Sequence, residues 1–251
     1  MKNINSVFHQ VNWPVLNTLA FTTTRAHPYH THNHYNGFQD FNLGTHVGDD
    51  IGVVNEHRAI LNDFLPLETK IQWLEQVHGN QVASVQKHHQ VPLVADAAVT
   101  TNKNIALAIM TADCLPILLA SVNGDEIAAI HGGWRPLASN IIARTLAKMQ
   151  TKNQQIYAWL GPCIGKNAFE VGEEVRQAFV RQPSSFEQAF KKVANDKYLA
   201  DLHQIAIQQL NALGVVSINV LPHCTFSMPD EYYSYRRDNK TGRMVTIICR
   251  I

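Results

Sequence analysis

Three short segments of this chain, EQVHGN from residue 75, TADCLP from 111 and AIHGGW from 129, each set a possible metal ligand at the end of a strand-like apolar run. The ligands are His78, Cys114 and His131. A strand fixes the backbone and the turn at its end lets the side chain project, so three such ends meeting at one rim would aim two imidazoles and a thiolate at one point. Three donors of this kind, with a fourth tetrahedral position open to water or substrate, describe a catalytic zinc rather than a closed structural one. Asp113, beside Cys114, is a candidate general base or an acceptor that orients a ligand, and Gly132 and Gly133 would let backbone approach closely. Arg135, just beyond, faces either a pocket mouth or solvent. Each ligand also has a purely structural reading: Cys114 as a small buried hydrophobe, His78 as a turn residue, His131 as a hydrogen-bonded core histidine. The wide separation carries no compact signature such as paired C-x-x-C.

The surrounding pattern predicts the elements that must hold these residues. Thr18 to Arg25 is Thr-rich and strand-like, and AHPYHTHNHYNGFQD after it has no period. That loop carries His27, His30, His32 and His34, which read as a polar loop or as an extra metal site. Asp49 and Asp50 precede a helix marked by Val54, Ile60, Leu61 and Phe64 and closed by Pro66. IQWLEQVHGNQVASVQ predicts two short strands joined by a turn at His78-Gly79-Asn80. Strands follow in AAVTT, in IALAIMTADCLPILLA with a break near Asp113-Cys114, and in EIAAIHGG; runs apolar on both faces imply a sheet covered on both sides. Helices are predicted over Leu137 to Met149, Gly172 to Arg181 and Tyr198 to Leu213, the last closed by Gly214. IYAWLGP, VVSINVLP and MVTIICRI complete the strands. Strands and helices mix without regular βαβ alternation, which predicts an α+β fold of mixed α/β layers: one domain over residues 1–251, with mixed β-sheets flanked by helices.

Bulk composition narrows the function classes. A chain of 251 residues, 45% hydrophobic and 16% charged, can fill one core. Lys+Arg of 21 against Asp+Glu of 20 gives a net charge of +1, no broad positive field for nucleic acid or an anionic membrane. Small-molecule partners fit better. No signal-like leader or spanning run is present in the sequence, so a cytoplasmic location is expected. Four cysteines in a chain this long point to buried, metal-bound or catalytic thiols rather than to a disulfide framework.

The ordered motifs FNLGTHVGDD, EQVHGN, TADCLPILL, AIHGGWRPLASNII, LGPCIG with FEVGEEV, and HCTF with YYSYRRDNKTGR closely resemble the YfiH-type, or laccase-domain, family of purine nucleoside phosphorylases. That family was formerly described as multicopper polyphenol oxidases. The resemblance covers most of the chain and implies zinc on His78, Cys114 and His131. It implies phosphorolysis of adenosine, inosine, guanosine and methylthioadenosine, with adenosine deaminase activity as a companion; the partners are then purine nucleoside and phosphate. It also brings in Asn42, from the NLG segment, and Arg58 as substrate contacts; a planar guanidinium suits a phosphate. One departure stands out: relatives commonly carry a Gly-Gly-Val-Ser type segment where this chain has its histidine-rich loop.

Within LGPCIG the backbone N–H groups around Cys163 could cradle an anion. Arg236 and Arg237 read as part of a surface turn with packed tyrosines. His46 and Glu170 are candidates by type for protonating the leaving base. Two other activities compete. A copper-dependent, laccase-like polyphenol oxidase would need His-x-His pairs and a His-Cys-His bridge, and only the 30–34 stretch offers His-x-His. A peptidoglycan-precursor editing amidase would use Cys114 as nucleophile and His131 as base. A non-enzymatic binding protein would close the coordination shell of a structural zinc.

Overall fold

The computed structural model describes residues 7–29, 38, 40–181 and 186–251. In chain order, β1 (Phe8–Gln10) and β2 (Thr18–Thr23) precede α1 (Ile51–Asn62), whose N-cap Asp50 accepts from the N–H groups of Gly52 and Val53. Four short strands follow: β3 (Lys70–Gln72), β4 (Leu74–Glu75), β5 (Val82–Ser84) and β6 (Leu93–Val94). The central strands are β7 (Ala97–Thr100), β8 (Ile105–Thr111), β9 (Leu115–Ser121) and β10 (Ile127–Gly132), buried along their whole length. Then come α2 (Trp134–Ala138), α3 (Ile141–Leu146), β11 (Ile156–Leu160), β12 (Glu170–Gly172), α4 (Glu173–Val180), β13 (Phe190–Ala194) and β14 (Lys197–Ala200). The chain ends with α5 (Leu202–Ala212), β15 (Ser217–Val220), α6 (Tyr235–Asp238) and β16 (Met244–Arg250).

Two large mixed sheets form the middle of the molecule, a five-stranded one in the order β1-β2-β16-β8-β3 and a six-stranded one in the order β15-β11-β9-β10-β7-β5. Side chains alternate across each strand, and the clusters follow that period. Leu107, Ile109 and Ile248 of the first sheet share one core with Leu118, Ala120 and Ala129 of the second. The opposite residues of the first sheet, Ala108, Met110, Val245 and Ile247, pack with Leu61 of α1. Those of the second sheet, Ile117, Leu119 and Ile130, pack with Ile142 of α3 and with Ile205 and Leu210 of α5. The fold is α+β, in helix, sheet, sheet, helix layers. Each fully buried Leu or Ile adds about 1.5–3 kcal/mol relative to exposure, so the double-sided burial expected from β8 to β10 is the main source of cohesion.

Three local expectations are corrected. No hairpin joins the strands around His78: β4 pairs in parallel with β6 and β5 in parallel with β7, so the segment passes from one sheet to another. The helix expected over Leu137 to Met149 is split into α2 and α3 by Asn140, which is left-handed at φ 60° and interrupts the helical run. The helix expected from Tyr198 begins only at Leu202, because Asp201 caps it through the N–H of Gln204 while Tyr198 pairs into a three-stranded sheet ordered β12-β14-β13. The exposed run KKVAND, with no apolar alternation, hid that sheet from a periodicity argument.

Candidate functional site

The site lies where the chain changes sheets. Strand β8 belongs to the five-stranded sheet and β9 to the six-stranded one, and Ala112, Asp113 and Cys114 make the crossing, with Asp113 at φ 98°. Penultimate in the adjacent β10 is His131, and His78 sits after β4 at φ 57°. Side chains that can donate to a metal from all three lie with their donor atoms within 4.8 Å of one another. The Cys114 Sγ is 3.9 Å from His78 Nε2, and the two imidazole rings are edge to face with centroids 4.7 Å apart. His131 is buried, Cys114 half-buried and His78 exposed, so the group runs from the interior to the mouth of a cavity.

One residue that sequence reasoning missed organises this group. Asp96, fully buried before β7, accepts hydrogen bonds from the backbone N–H of His78 at 3.0 Å, Gly79 at 2.7 Å and Val77 at 3.3 Å. Its Oδ1 also accepts from His131 Nδ1 at 2.7 Å, and its carbonyl accepts from the His131 N–H at 2.7 Å. A single carboxylate thus fixes the left-handed turn that carries His78 and the ring orientation of His131, leaving Nε2 of His131 toward the group. Burial opposes the Asp96 charge, yet the hydrogen bonds from His131, Gly79 and His78 hold its pKa below the usual carboxylate range. Burial likewise opposes charge on Cys114 and His131, but each offsets it for the other: the thiol is lowered and the imidazole raised. Each therefore favours the charged form of the other, thiolate beside imidazolium. No signature in VPLVADAAV distinguishes Asp96 from a loop aspartate, so only tertiary contact reveals it.

The glycines serve the close approach expected of them. A Cβ on Gly133 would lie 3.2 Å from Cys114 Sγ and 3.4 Å from the His78 ring, and one on Gly132 would meet the Leu115 carbonyl at 2.7 Å. With two imidazoles, one thiolate and a carboxylate behind His131, the donor set fits a borderline divalent ion with room for a further ligand on the solvent side.

Above the group opens a cavity of about 560 Å³. Its walls include Trp134, Phe169 and Tyr235, and its cationic side chains are Arg135, Arg236 and Arg243, with His46 beside them. Arg135 stacks on the Trp134 ring at 4.3 Å and Arg236 on Phe169 at 5.4 Å. Asp113 lines the cavity too, but its carboxylate is engaged: Oδ1 accepts from the Thr225 hydroxyl and Oδ2 from the Arg236 N–H, both at 2.7 Å. Its carboxylate ties the C-terminal loop to the sheet crossing.

Asn42 and Arg58 stand behind the cavity wall rather than in it. Asn42 is fully buried; its Oδ1 accepts from the N–H groups of Gly44 and Arg243, both at 2.9 Å, and its amide donates to Asp49 at 2.9 Å. Arg58 lies 3.7 Å above the Trp73 ring, donates to the Leu43 carbonyl at 2.9 Å, and has its pKa lowered to about 10 by burial. Arg237, read as a surface residue, donates to the carbonyls of Thr225, Phe226 and Tyr232 and so shapes the same loop. Glu170 pairs with Lys197 at 3.3 Å, and Cys163 is buried; neither lines the cavity. His27 is edge to face with Phe41 and His57, while His30, His32 and His34 lie outside the described residues. Arg243 went unread, and Tyr235 and Arg236, read as a packed tyrosine and a surface-turn arginine, instead line the cavity; all three fall in a polar stretch whose period says nothing about direction.

The profile of the multi-copper polyphenol oxidoreductase laccase family matches residues 19–251. The chain is 40% identical over 245 residues to a purine nucleoside phosphorylase of Haemophilus influenzae, covering 94% of this chain and 96% of that one. It is 41% identical over 211 residues to the purine nucleoside phosphorylase YfiH of Escherichia coli, covering 84% and 86%. Among solved structures, a Neisseria meningitidis protein superposes with a TM-score of 0.91 at 36% identity, covering 97% of this chain and 98% of that chain. With the six ordered motifs, the matched length and the shared fold in agreement, this chain belongs to the YfiH-type laccase-domain family.

Proposed function

We propose that the protein is a zinc-dependent purine nucleoside phosphorylase that accepts adenosine, inosine, guanosine and methylthioadenosine and deaminates adenosine as a companion activity. The observation that carries this reading is the convergence of His78, Cys114 and His131 at the base of a cavity walled by aromatic rings and arginines. Relatives with the name purine nucleoside phosphorylase, matched over nearly the whole chain, support it. Zinc held by these residues would supply Lewis acidity and an exchangeable position.

The chain's own residues account for binding and charge. Trp134, Phe169 and Tyr235 offer faces for a purine. Arg243 and Arg236 supply the positive charge a phosphate dianion needs; Asn42 acts at one remove, holding the Arg243 backbone through its Oδ1. Arg58 reaches the anion through its field rather than by contact. Burial, Arg243 and Arg58 together hold the His46 imidazole below its ordinary range, which favours its neutral form and lets a ring nitrogen accept a hydrogen bond from phosphate. In phosphorolysis a phosphate oxygen bonds to the ribose C1′ as the glycosidic bond breaks, and the proton given up by hydrogen phosphate ends on the departing purine nitrogen. Four cysteines without a disulfide among them fit a reducing, cytoplasmic setting; among the described residues no helix is long and apolar enough to cross a membrane.

A second reading rests on one specific geometry: Cys114, His131 and Asp96 line up as nucleophile, base and orienting carboxylate, which would suit an amidase acting on a cell-wall precursor. The two readings part on metal and phosphate. Inosine incubated with zinc-loaded protein should release hypoxanthine only when phosphate is present, and a chelator should abolish release. Phosphate-independent release, or none from verified zinc protein, would overturn the phosphorylase reading; amide cleavage that survives chelation would install the other.

A further inference from the structure

A second group of donors lies away from the cavity. His9 in β1, His223 in the loop after β15, and Glu231 in the loop before α6 bring their ligand atoms within 4.8 Å of one another. His9 Nε2 is 3.0 Å from Glu231 Oε2, His223 Nδ1 is 4.0 Å from the same oxygen, and the two imidazoles stand edge to face at 5.2 Å. We propose that His9, His223 and Glu231 form a second divalent-metal site, of the two-histidine, one-carboxylate type, that clamps the first strand to the C-terminal loop.

Each donor is carried by backbone that is already fixed. His9 is paired with Thr22 in the five-stranded sheet. The His223 N–H donates to the Leu221 carbonyl at 2.9 Å. Glu231 is held from both sides: its N–H donates to Met228 at 3.2 Å and its carbonyl accepts from the Arg25 N–H at 2.8 Å. The fully buried Tyr232 places its hydroxyl 2.9 Å from the same His223 Nδ1, a hydrogen bond that an ion taken at that nitrogen displaces. Donors about 2.0–2.1 Å from one ion sit roughly 3.3 Å apart, so side-chain rotation of little more than 1 Å closes the group without moving backbone. All three side chains are partly exposed, His9 by 22%, His223 by 31% and Glu231 by 39%, leaving water to complete the shell. One carboxylate and two neutral imidazoles select zinc, cobalt or nickel over calcium or magnesium, which prefer all-oxygen sites.

The site makes no use of a thiolate, so it separates experimentally from the Cys114 group and does not depend on the phosphorylase reading. The full-length Cys114→Ala protein, loaded with zinc and desalted, should retain one zinc per chain, with an anomalous peak at the zinc edge between residues 9, 223 and 231. Cobalt in that protein should give d–d absorption without a thiolate charge-transfer band. His9→Ala combined with His223→Ala should remove this ion. Glu231→Gln, which keeps shape and hydrogen bonding, should weaken it by about tenfold or more, at least what loss of an outer partner costs. Zinc should raise the melting temperature of Cys114→Ala but not of the variant that also lacks both histidines. No zinc in Cys114→Ala at micromolar zinc, or retention undiminished by His9→Ala, His223→Ala and Glu231→Gln, would overturn the proposal; the latter would place the ion on other side chains.

Discussion

The two triads of this molecule use three donors each and differ in how those donors are held. At the cavity, His78, Cys114 and His131 rise from the crossing of two sheets, and one buried carboxylate, Asp96, fixes two of the three. At the edge, His9, His223 and Glu231 are half-exposed and support one another mainly through a single contact. A polar group held by four hydrogen bonds in a dry interior is costly to disturb, whereas an exposed ion pair is worth about 0–1 kcal/mol. The inner group is therefore preorganised for chemistry, and the outer group gains its order on binding.

Substitutions can break that contrast. The largest effect is expected from Cys114→Ala, which should lower phosphorolysis by about a thousandfold or more, since the activated position goes with the ligand; near-normal hypoxanthine release would dissolve the inner site. Asp96→Asn should come next, reducing zinc affinity by about 10–100-fold while the ligands remain, measurable by chelator competition. Gly132→Ala places a methyl 2.7 Å from the Leu115 carbonyl and should cost about 1–3 kcal/mol in urea unfolding. An unaltered midpoint would mean that β9 and β10 can part without penalty. Without metal, Glu231→Gln should change stability by less than about 1 kcal/mol, because its pairs are exposed.

Alkylation sharpens the same comparison among cysteines. In metal-free protein the Cys114 thiolate is stabilised by His131 and His78 and persists as pH falls below the ordinary thiol range, being lost only as pH passes through its lowered value. Cys249, pushed up to about 11 by burial, and Cys163, also raised, stay protonated. Iodoacetamide at pH 7 should therefore label Cys114 well before Cys163 and Cys249, as read by peptide mass spectrometry, and zinc should slow that labelling.

Much of the fold was legible because it rests on period and punctuation. The apolar runs of β8, β9 and β10, the Asp50 cap of α1 and Gly214 at φ 86° after α5 announce themselves locally. The small sheet of β12, β13 and β14 did not, since its outward residues are charged and its pairing is non-local. For the inner triad, residue type and strand-end position offered His78, Cys114 and His131 as candidates beside a structural reading of each, and tertiary structure brings the three together.

Sequence by itself determined the layered α+β class, the three candidate donors of the cavity and the glycines beside them, because those depend on local periodicity, residue chemistry and the absence of a Cβ. Tertiary structure alone decided that Asp96 organises the donors, that Asn42 and Arg58 stand behind the wall while Arg243 enters the cavity, and that His9 meets Glu231 across 222 positions of chain. Convergence of side chains far apart in sequence is set by how strands cross and pack, and no local pattern encodes that direction.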